Sequence, residues 1–524
     1  MKGFGEKHKN PKKKKNKPPT EKIINQAIQL HLKGNITEAT KYYKQLISQE
    51  CNDQRVFSNF GVILQGLGKL QDAEKSFRKA IELNPNFAMT YSNLGNVLKD
   101  LGKLQDAEKS FRKAIELNPN FAQAYSNLGN VLKDLGKLQD AEKLYRKAIE
   151  LNPNFAMAYY NLGNVLKELG KLQDAEKLYR KAIELNPNFT QAYYSLSLMQ
   201  YSDSNEKWQN QLFSEDIFKN KSQKDKVNIY FARANILHKE KKFEESSTYL
   251  KLANGLKLDL KPFESEDIIN KSKKLLIESD KKEISNKEYN FPESIFIVGM
   301  PRCGSTLIES ILSINNDVYD LGEKNILEES YLEHQKVDKQ KTLSEIYLKK
   351  ISNYQKKYLI TTNKLLYNYQ YAGLISSQIT NAKIIHCFRN PLDNILSIYR
   401  ANFANGNEYS SSLVDCARIY LDQEEIMCKY KQRFRSKIYD LNYDSLVCNP
   451  KKEIKLLISW LNWHWNDLYL SPHLNTRSVS TASTVQVRSP INSKSVDGWK
   501  NYKNMLQPCI EILSKTDKYK KLVN

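Results

Sequence analysis

The string NPNF recurs at Asn84, Asn118, Asn152 and Asn186, each 34 residues after the last. A fixed period of this length restricts the fold severely, because every period must build the same small unit. One unit, residues 86–119, reads NFAMTYSNLGNVLKDLGKLQDAEKSFRKAIELNP, and the next differs from it at four of 34 positions. Tyr91, Leu94, Gly95 and Leu98 share one helical face, and Ala107, Phe111 and Ala114 share a second. Gly102 and Lys103 fall between the two helices, and Pro119 ends the second because it cannot continue one. A single helix pair cannot bury these faces, so the units must stack on one another. Weaker copies at 18–51 and 225–258 extend the pattern to an all-α array over 21–258.

The unit resembles the tetratricopeptide repeat, whose Trp/Tyr–Leu–Gly, Ala–Phe–Ala and Pro positions it fills in register. In that family's pattern, Leu98 stands where a Tyr is usual. The resemblance implies a superhelix that binds a polypeptide substrate or a partner protein. Asn59, Asn93, Asn127 and Asn161 recur on one face of successive first helices. Side-chain amides both donate and accept, so such a column is a candidate groove for an extended peptide backbone.

The chain's net charge is +22, and residues 1–20 hold eight lysines against one acid, Glu6. This segment reads as a disordered basic tail. The remaining surplus is spread thinly over 504 residues, which argues against a nucleic-acid-binding domain. No apolar run approaches the ~20 residues of a membrane helix, and no apolar segment follows the basic N-terminus as a secretory signal requires. Seven scattered cysteines without a CxxC pair fit reduced thiols in a cytoplasm. Seven scattered histidines show no metal-ligand spacing, so no metal is expected.

Beyond a charged helical connector at 259–292, the pattern changes. Apolar β-rich runs at 294–298, 358–361, 383–387 and 437–441 alternate with helical stretches. This predicts βαβ units and a mostly parallel sheet in an α/β domain over 293–524. The first strand runs into GMPRCGST and then into a helix. Gly299 and Gly304 occupy the glycine positions of a phosphate-binding loop, but Ser305 stands where a nucleoside triphosphatase has its Lys. The loop still offers backbone N–H groups, the Ser305 and Thr306 hydroxyls and a helix N-terminus to one phosphate, and Arg302 supplies a cation.

PRCGSTL resembles the PRSGTTL loop of sulfotransferases that use 3′-phosphoadenosine-5′-phosphosulfate. The resemblance runs over roughly residues 293–504. It places Arg302, Cys303, Gly304, Ser305 and Thr306 around the 5′-phosphate. Arg389 at a strand end and Ser397 eight residues on match the family's 3′-phosphate pair. The tyrosylprotein branch has a catalytic Glu about twenty residues after the loop, matched by Glu323, and a partner Lys, matched by Lys364. Tyr443 in NYDSLVCNP matches a nucleotide contact. Ser483, Thr484 and Trp499 fall in a segment resembling the lid, although Gly498 stands where that branch carries a Lys, with Lys494 and Lys500 nearby. The implied product is adenosine 3′,5′-bisphosphate, with no metal required. Independently of the family, Arg302, Lys364, Arg389 and Tyr443 each follow a predicted strand, at the edge where open α/β sheets bind ligands.

The enzyme implied by this resemblance transfers a sulfuryl group to a hydroxyl, with a tyrosyl polypeptide as the leading acceptor. A glycan or small alcohol is the alternative acceptor. A nucleotide kinase shares strand, loop and helix but is disfavoured by Ser305 and by the Arg389/Ser397 pair. A scaffold with an inactive domain need not keep charged groups at every strand end.

Overall fold

The computed structural model describes residues 20–199, 206–280, 292–336, 341–354, 359–403 and 406–522, except 476, 478, 480 and 482. The expected basic tail, apart from Thr20, lies outside them. The described residues fall into two compact units that divide between Val165 and Leu166.

The first unit is all α. Helix pairs Thr20–Leu32 and Ile36–Ser48, Gln54–Gly66 and Leu70–Leu83, Ala88–Asp100 and Leu104–Leu117, and Ala122–Asp134 and Leu138–Leu151 repeat one design. The amphipathic faces explain it: Leu94, Val97 and Leu98 of one helix and Ala107, Phe111 and Ala114 of the next are buried. Gly102 takes φ +74° in the turn, a backbone state that glycine adopts at little cost. Asn118 Oδ1 accepts from the Asn120 N–H at 3.1 Å and closes the Asn–Pro turn that ends the unit. The weak copy at 18–51 forms a helix pair like the others.

Close approach explains why one helical position is glycine. A Cβ on Gly95 would stand 2.8 Å from the Phe111 ring, and one on Gly129 would stand 2.8 Å from Tyr145. Gly95→Ala is therefore expected to destabilise the first unit by about 1–3 kcal/mol, the usual cost of overpacking. Urea unfolding of the full chain checks this, and an unchanged first transition would mean that the ring yields freely.

The second unit holds helices Leu172–Leu185, Thr190–Ser197, Glu206–Phe213, Gln223–Lys239, Phe243–Leu260 and Glu266–Asp280, followed by a five-stranded sheet. Its strands are β1 Glu293–Gly299, β2 Val318–Asp320, β3 Ile360–Asn363, β4 Ala382–Phe388 and β5 Ile438–Asn442. Their order is β2-β3-β1-β4-β5, and every pairing is parallel. Alternate residues of β1 serve opposite faces, as strand geometry requires. Phe296 and Val298 enter a core with Tyr347, Leu374 and Met427. Ile295 and Ile297 enter another with Ile308, Ile311 and Leu457. Both faces are covered, which suits a parallel sheet.

Packing does not follow the boundary that periodicity places at residue 258. Val227, Phe231 and Leu250 of the last repeat-like pair share a core with Leu392, Ile395, Trp499 and Tyr502. Asn254 Nδ2 donates to the Tyr399 carbonyl at 2.9 Å. The connector helix Glu266–Asp280 likewise buries Leu275 against the sheet domain, and residues 281–291 of the expected connector lie outside the described residues. Repeat spacing reports which residues form helices. It does not report which outer face meets a neighbour.

Candidate active site

The β1 loop is shaped by three residues with positive φ: Gly299 at +145°, Arg302 at +67° and Gly304 at +99°. A Cβ on Gly299 would meet the Cys387 carbonyl oxygen at 2.2 Å, and one on Gly304 would meet the Tyr443 ring at 2.2 Å. The loop is thus pressed between β4 and the chain after β5. Helix Ser305–Leu312 begins immediately after it, with buried Ser305 and Thr306 in its first turn. Its first N–H groups lack helical acceptors and favour an anion.

Arg302 reaches three partners. Nε donates to Ser397 Oγ at 3.1 Å, Nη1 to Ser483 Oγ, and Nη2 to Gln486 Oε1 at 2.6 Å. Among the described residues no carboxylate pairs with it. Burial, and secondarily the Arg389 charge, pulls its guanidinium down to about 10. A cation held in this way among neutral groups is poised for an anion. Arg389 follows β4 and donates to the Ser495 carbonyl at 2.8 Å. Its guanidinium lies 4.7 Å from the Tyr443 ring centroid, and Asp444 and Asp393 stand off at 3.7 and 3.9 Å. Its buried Nε has no acceptor among the described residues.

Lys364 follows β3, and its Nζ donates to Glu323 Oε1 at 2.6 Å. The lysine is buried, whereas Glu323 is half in solvent. Both line a cavity of about 270 Å³ with Glu309, Asp320, Arg477 and Arg488. The cavity therefore joins a fixed ammonium, an accessible carboxylate and two further guanidiniums at the carboxyl edge of the sheet.

The model of the sulfotransferase family matches residues 292–467, and tetratricopeptide repeat models match stretches between 54 and 189. Residues 292–467 are a sulfotransferase-family domain. A protein of Aquifex aeolicus with no assigned function is 32% identical over 251 residues, 44% of this chain and 33% of that protein. The matched stretch thus spans about a third of that relative. A Caenorhabditis briggsae protein, provisionally named a protein-tyrosine sulfotransferase, is 24% identical over 242 residues, 40% of this chain and 81% of that protein. Among solved structures, a crystal structure of MamA is 28% identical and covers 31% of this chain and 94% of that one, with a TM-score of 0.29. That of YrrB, a tetratricopeptide repeat protein, is 24% identical and covers 34% and 91%, with a TM-score of 0.30.

Around the sheet edge the expected residues gather unevenly. Arg302 bonds both Ser397 and Ser483, and Arg389 stacks on Tyr443. Ser397, expected with Arg389 at a 3′-phosphate, here accepts from Arg302. Cys303 is buried. The Thr484 hydroxyl is taken up by the Val479 and Thr481 carbonyls at 2.9 and 2.6 Å. Trp499 packs into the core, with its backbone N–H on Asp393 Oδ1 at 2.9 Å, and Lys500 pairs with Asp497 at 2.8 Å. Sequence reasoning missed Gln486, Arg477, Arg488, Asp320 and Glu309. Of these, Glu309 carried a signal: it lies four residues past Ser305, one turn along the same helix face.

The asparagine column is partly consumed in stacking. Asn127 Nδ2 donates to Asn96 Oδ1 and Asn161 Nδ2 to Asn130 Oδ1, each at 3.2 Å, and Asn59 bonds the Arg55 carbonyl at 2.8 Å. Val62 occupies the place of Asn96 in the preceding repeat and offers Asn93 no such acceptor. Among the described residues no group of His, Cys, Asp and Glu is arranged to hold a metal, and no helix is long and apolar enough to cross a membrane.

Proposed function

We propose that the chain transfers a sulfuryl group from 3′-phosphoadenosine-5′-phosphosulfate to a hydroxyl of a polypeptide, a tyrosyl hydroxyl in the leading case. The observation that carries this reading is Arg302: a half-buried guanidinium between two loop glycines, with hydroxyl and amide partners and no carboxylate among the described residues. The loop N–H groups, Arg302, Ser305 and Thr306 take the 5′-phosphate end of the donor. Arg389 takes the 3′-phosphate, with its Nε, which makes no hydrogen bond among the described residues, as one donor, and Tyr443 stacks on its guanidinium. Glu323 removes the acceptor hydroxyl proton as that oxygen bonds to sulfur. The sulfur–oxygen bond to the nucleotide breaks, and Lys364 and Arg302 neutralise the charge that gathers on the departing phosphate. Adenosine 3′,5′-bisphosphate leaves. The repeats recruit the polypeptide, since the side-chain amides keep bonding capacity beyond the bonds they make within the array.

The full chain is expected to bind adenosine 3′,5′-bisphosphate in calorimetry. Arg302→Ala and Arg389→Ala should each weaken binding by about 1.5–3 kcal/mol, the worth of a charge-assisted contact. Unchanged affinity in both variants overturns the donor assignment. Sulfur-labelled donor incubated with tyrosine-containing and tyrosine-free peptides then reads the acceptor, and label in the second alone overturns the tyrosyl reading.

A further inference from the structure

Three carboxyl groups and two lysines line the cavity, and the Lys364 ammonium is shared unevenly between two of the carboxyls. Lys364 Nζ is 2.6 Å from Glu323 Oε1 and 3.8 Å from Glu309 Oε2. The Glu309 side chain is only 9% exposed. It projects from helix Ser305–Leu312, one turn below the loop that carries Arg302. Its Oε1 is fully buried, and no donor among the described residues reaches it. The carboxyl of Asp320, at the end of β2, lines the same cavity, and its charge disfavours ionisation of Glu309. A buried carboxylate without a hydrogen-bond donor and with other carboxylates nearby is costly to keep ionised. We infer that Glu309 is a positioning residue, a protonated acid that leaves Glu323 as the close carboxylate partner of Lys364.

Every group facing Glu309 bears on this assignment. Lys364 comes from the end of β3, Asp320 and Glu323 from the end of β2, and Lys324, Arg477 and Arg488 complete the cavity wall. Burial chiefly pushes the Glu309 carboxyl well above the usual range; Lys364 opposes this, while Asp320 and Glu323 reinforce it. Glu309 cannot be both a neutral acid and the counter-ion of Lys364. Burial disfavours the charged lysine, and Glu323, whose Oε1 accepts from Nζ at 2.6 Å, opposes this and holds the ammonium. A third ionised carboxylate would draw the ammonium inward and compete with any anionic group entering the cavity. With Glu309 protonated, Lys364 is held from one side and free to donate on the other. This consequence rests on the sulfotransfer reading, whereas the protonation does not.

Two measurements on the full chain separate the ideas. Above the ordinary glutamate value of about 4.3, the unfolded chain ionises Glu309 while the folded chain keeps its proton, so stability falls as pH rises. Glu309→Gln removes this loss. The Tm of the Gln variant minus that of the unsubstituted chain is therefore expected to grow from pH about 5 to about 8. If Glu309 is an ionised partner of Lys364, the Gln variant is less stable throughout and the difference does not grow, which overturns the inference. In transfer assays, Glu309→Ala should lower kcat about ten- to a hundredfold by letting Lys364 shift, and Gln should recover most of that loss. A Gln variant no better than Ala also overturns it. An unsubstituted chain that transfers no sulfuryl group would end the functional reading, and the pH dependence of Tm would still decide the state of Glu309.

Discussion

Glu323→Gln is expected to slow sulfuryl transfer by roughly 100- to 10,000-fold, the usual contribution of a general base. The amide is nearly isosteric but cannot accept the acceptor's proton. Its donor affinity should stay unchanged, because Glu323 bonds Lys364 and does not touch Arg302, Arg389 or Tyr443. Folding should also be preserved, since 53% of the Glu323 side chain is exposed. Lys364 loses a charged partner but keeps an amide oxygen within reach. Rapid-quench turnover with labelled donor, alongside calorimetry of adenosine 3′,5′-bisphosphate, separates the two effects. A normal turnover rate would move the base elsewhere. A parallel loss of donor affinity would mean that Glu323 acts through the donor site.

The repeats were legible because identical units at a fixed spacing leave one way to bury their faces. The parallel sheet was legible from β1, β4 and β5, whose apolar runs are broken by helical stretches. β2 was not, because three residues, Val318–Asp320, carry too little pattern to mark a strand. That omission hid Asp320 as well. Arg302, Arg389, Lys364 and Tyr443 could be placed in advance because each follows a predicted strand, and parallel strands deliver their ends to one edge. Glu309 was passed over despite standing one turn past Ser305, because a glutamate inside a helix ordinarily faces water. Only the packing of Ser305–Leu312 against the sheet turns it inward, where Ile308, Ile311 and Leu312 also point.

The same asymmetry of burial governs Lys364. Replacing it with Ala removes the only ammonium within 4 Å of both Glu309 and Glu323 among the described residues. Turnover is expected to fall by about 100- to 1000-fold, the scale on which a preorganised charge facing a developing anion contributes. Donor affinity should fall less, because the loop N–H groups and the two arginines remain. Breaking a buried ion pair commonly destabilises by about 3–5 kcal/mol, when the abandoned charge stays buried. That penalty should be largely avoided here. Glu323 already stands half in solvent and can rehydrate, and a protonated Glu309 leaves no abandoned charge. Lys364→Ala should therefore fold with a modest change in Tm and fail in chemistry. Lys364→Arg should not restore the rate: the guanidinium is planar and forked, whereas the cavity confines a compact ammonium 2.6 Å from one carboxylate oxygen. Single-turnover kinetics of the two variants, with thermal melts beside them, checks each point. An Ala variant that turns over at the unsubstituted rate would remove Lys364 from the chemistry, and one that unfolds outright would show that Glu309 carries a charge after all.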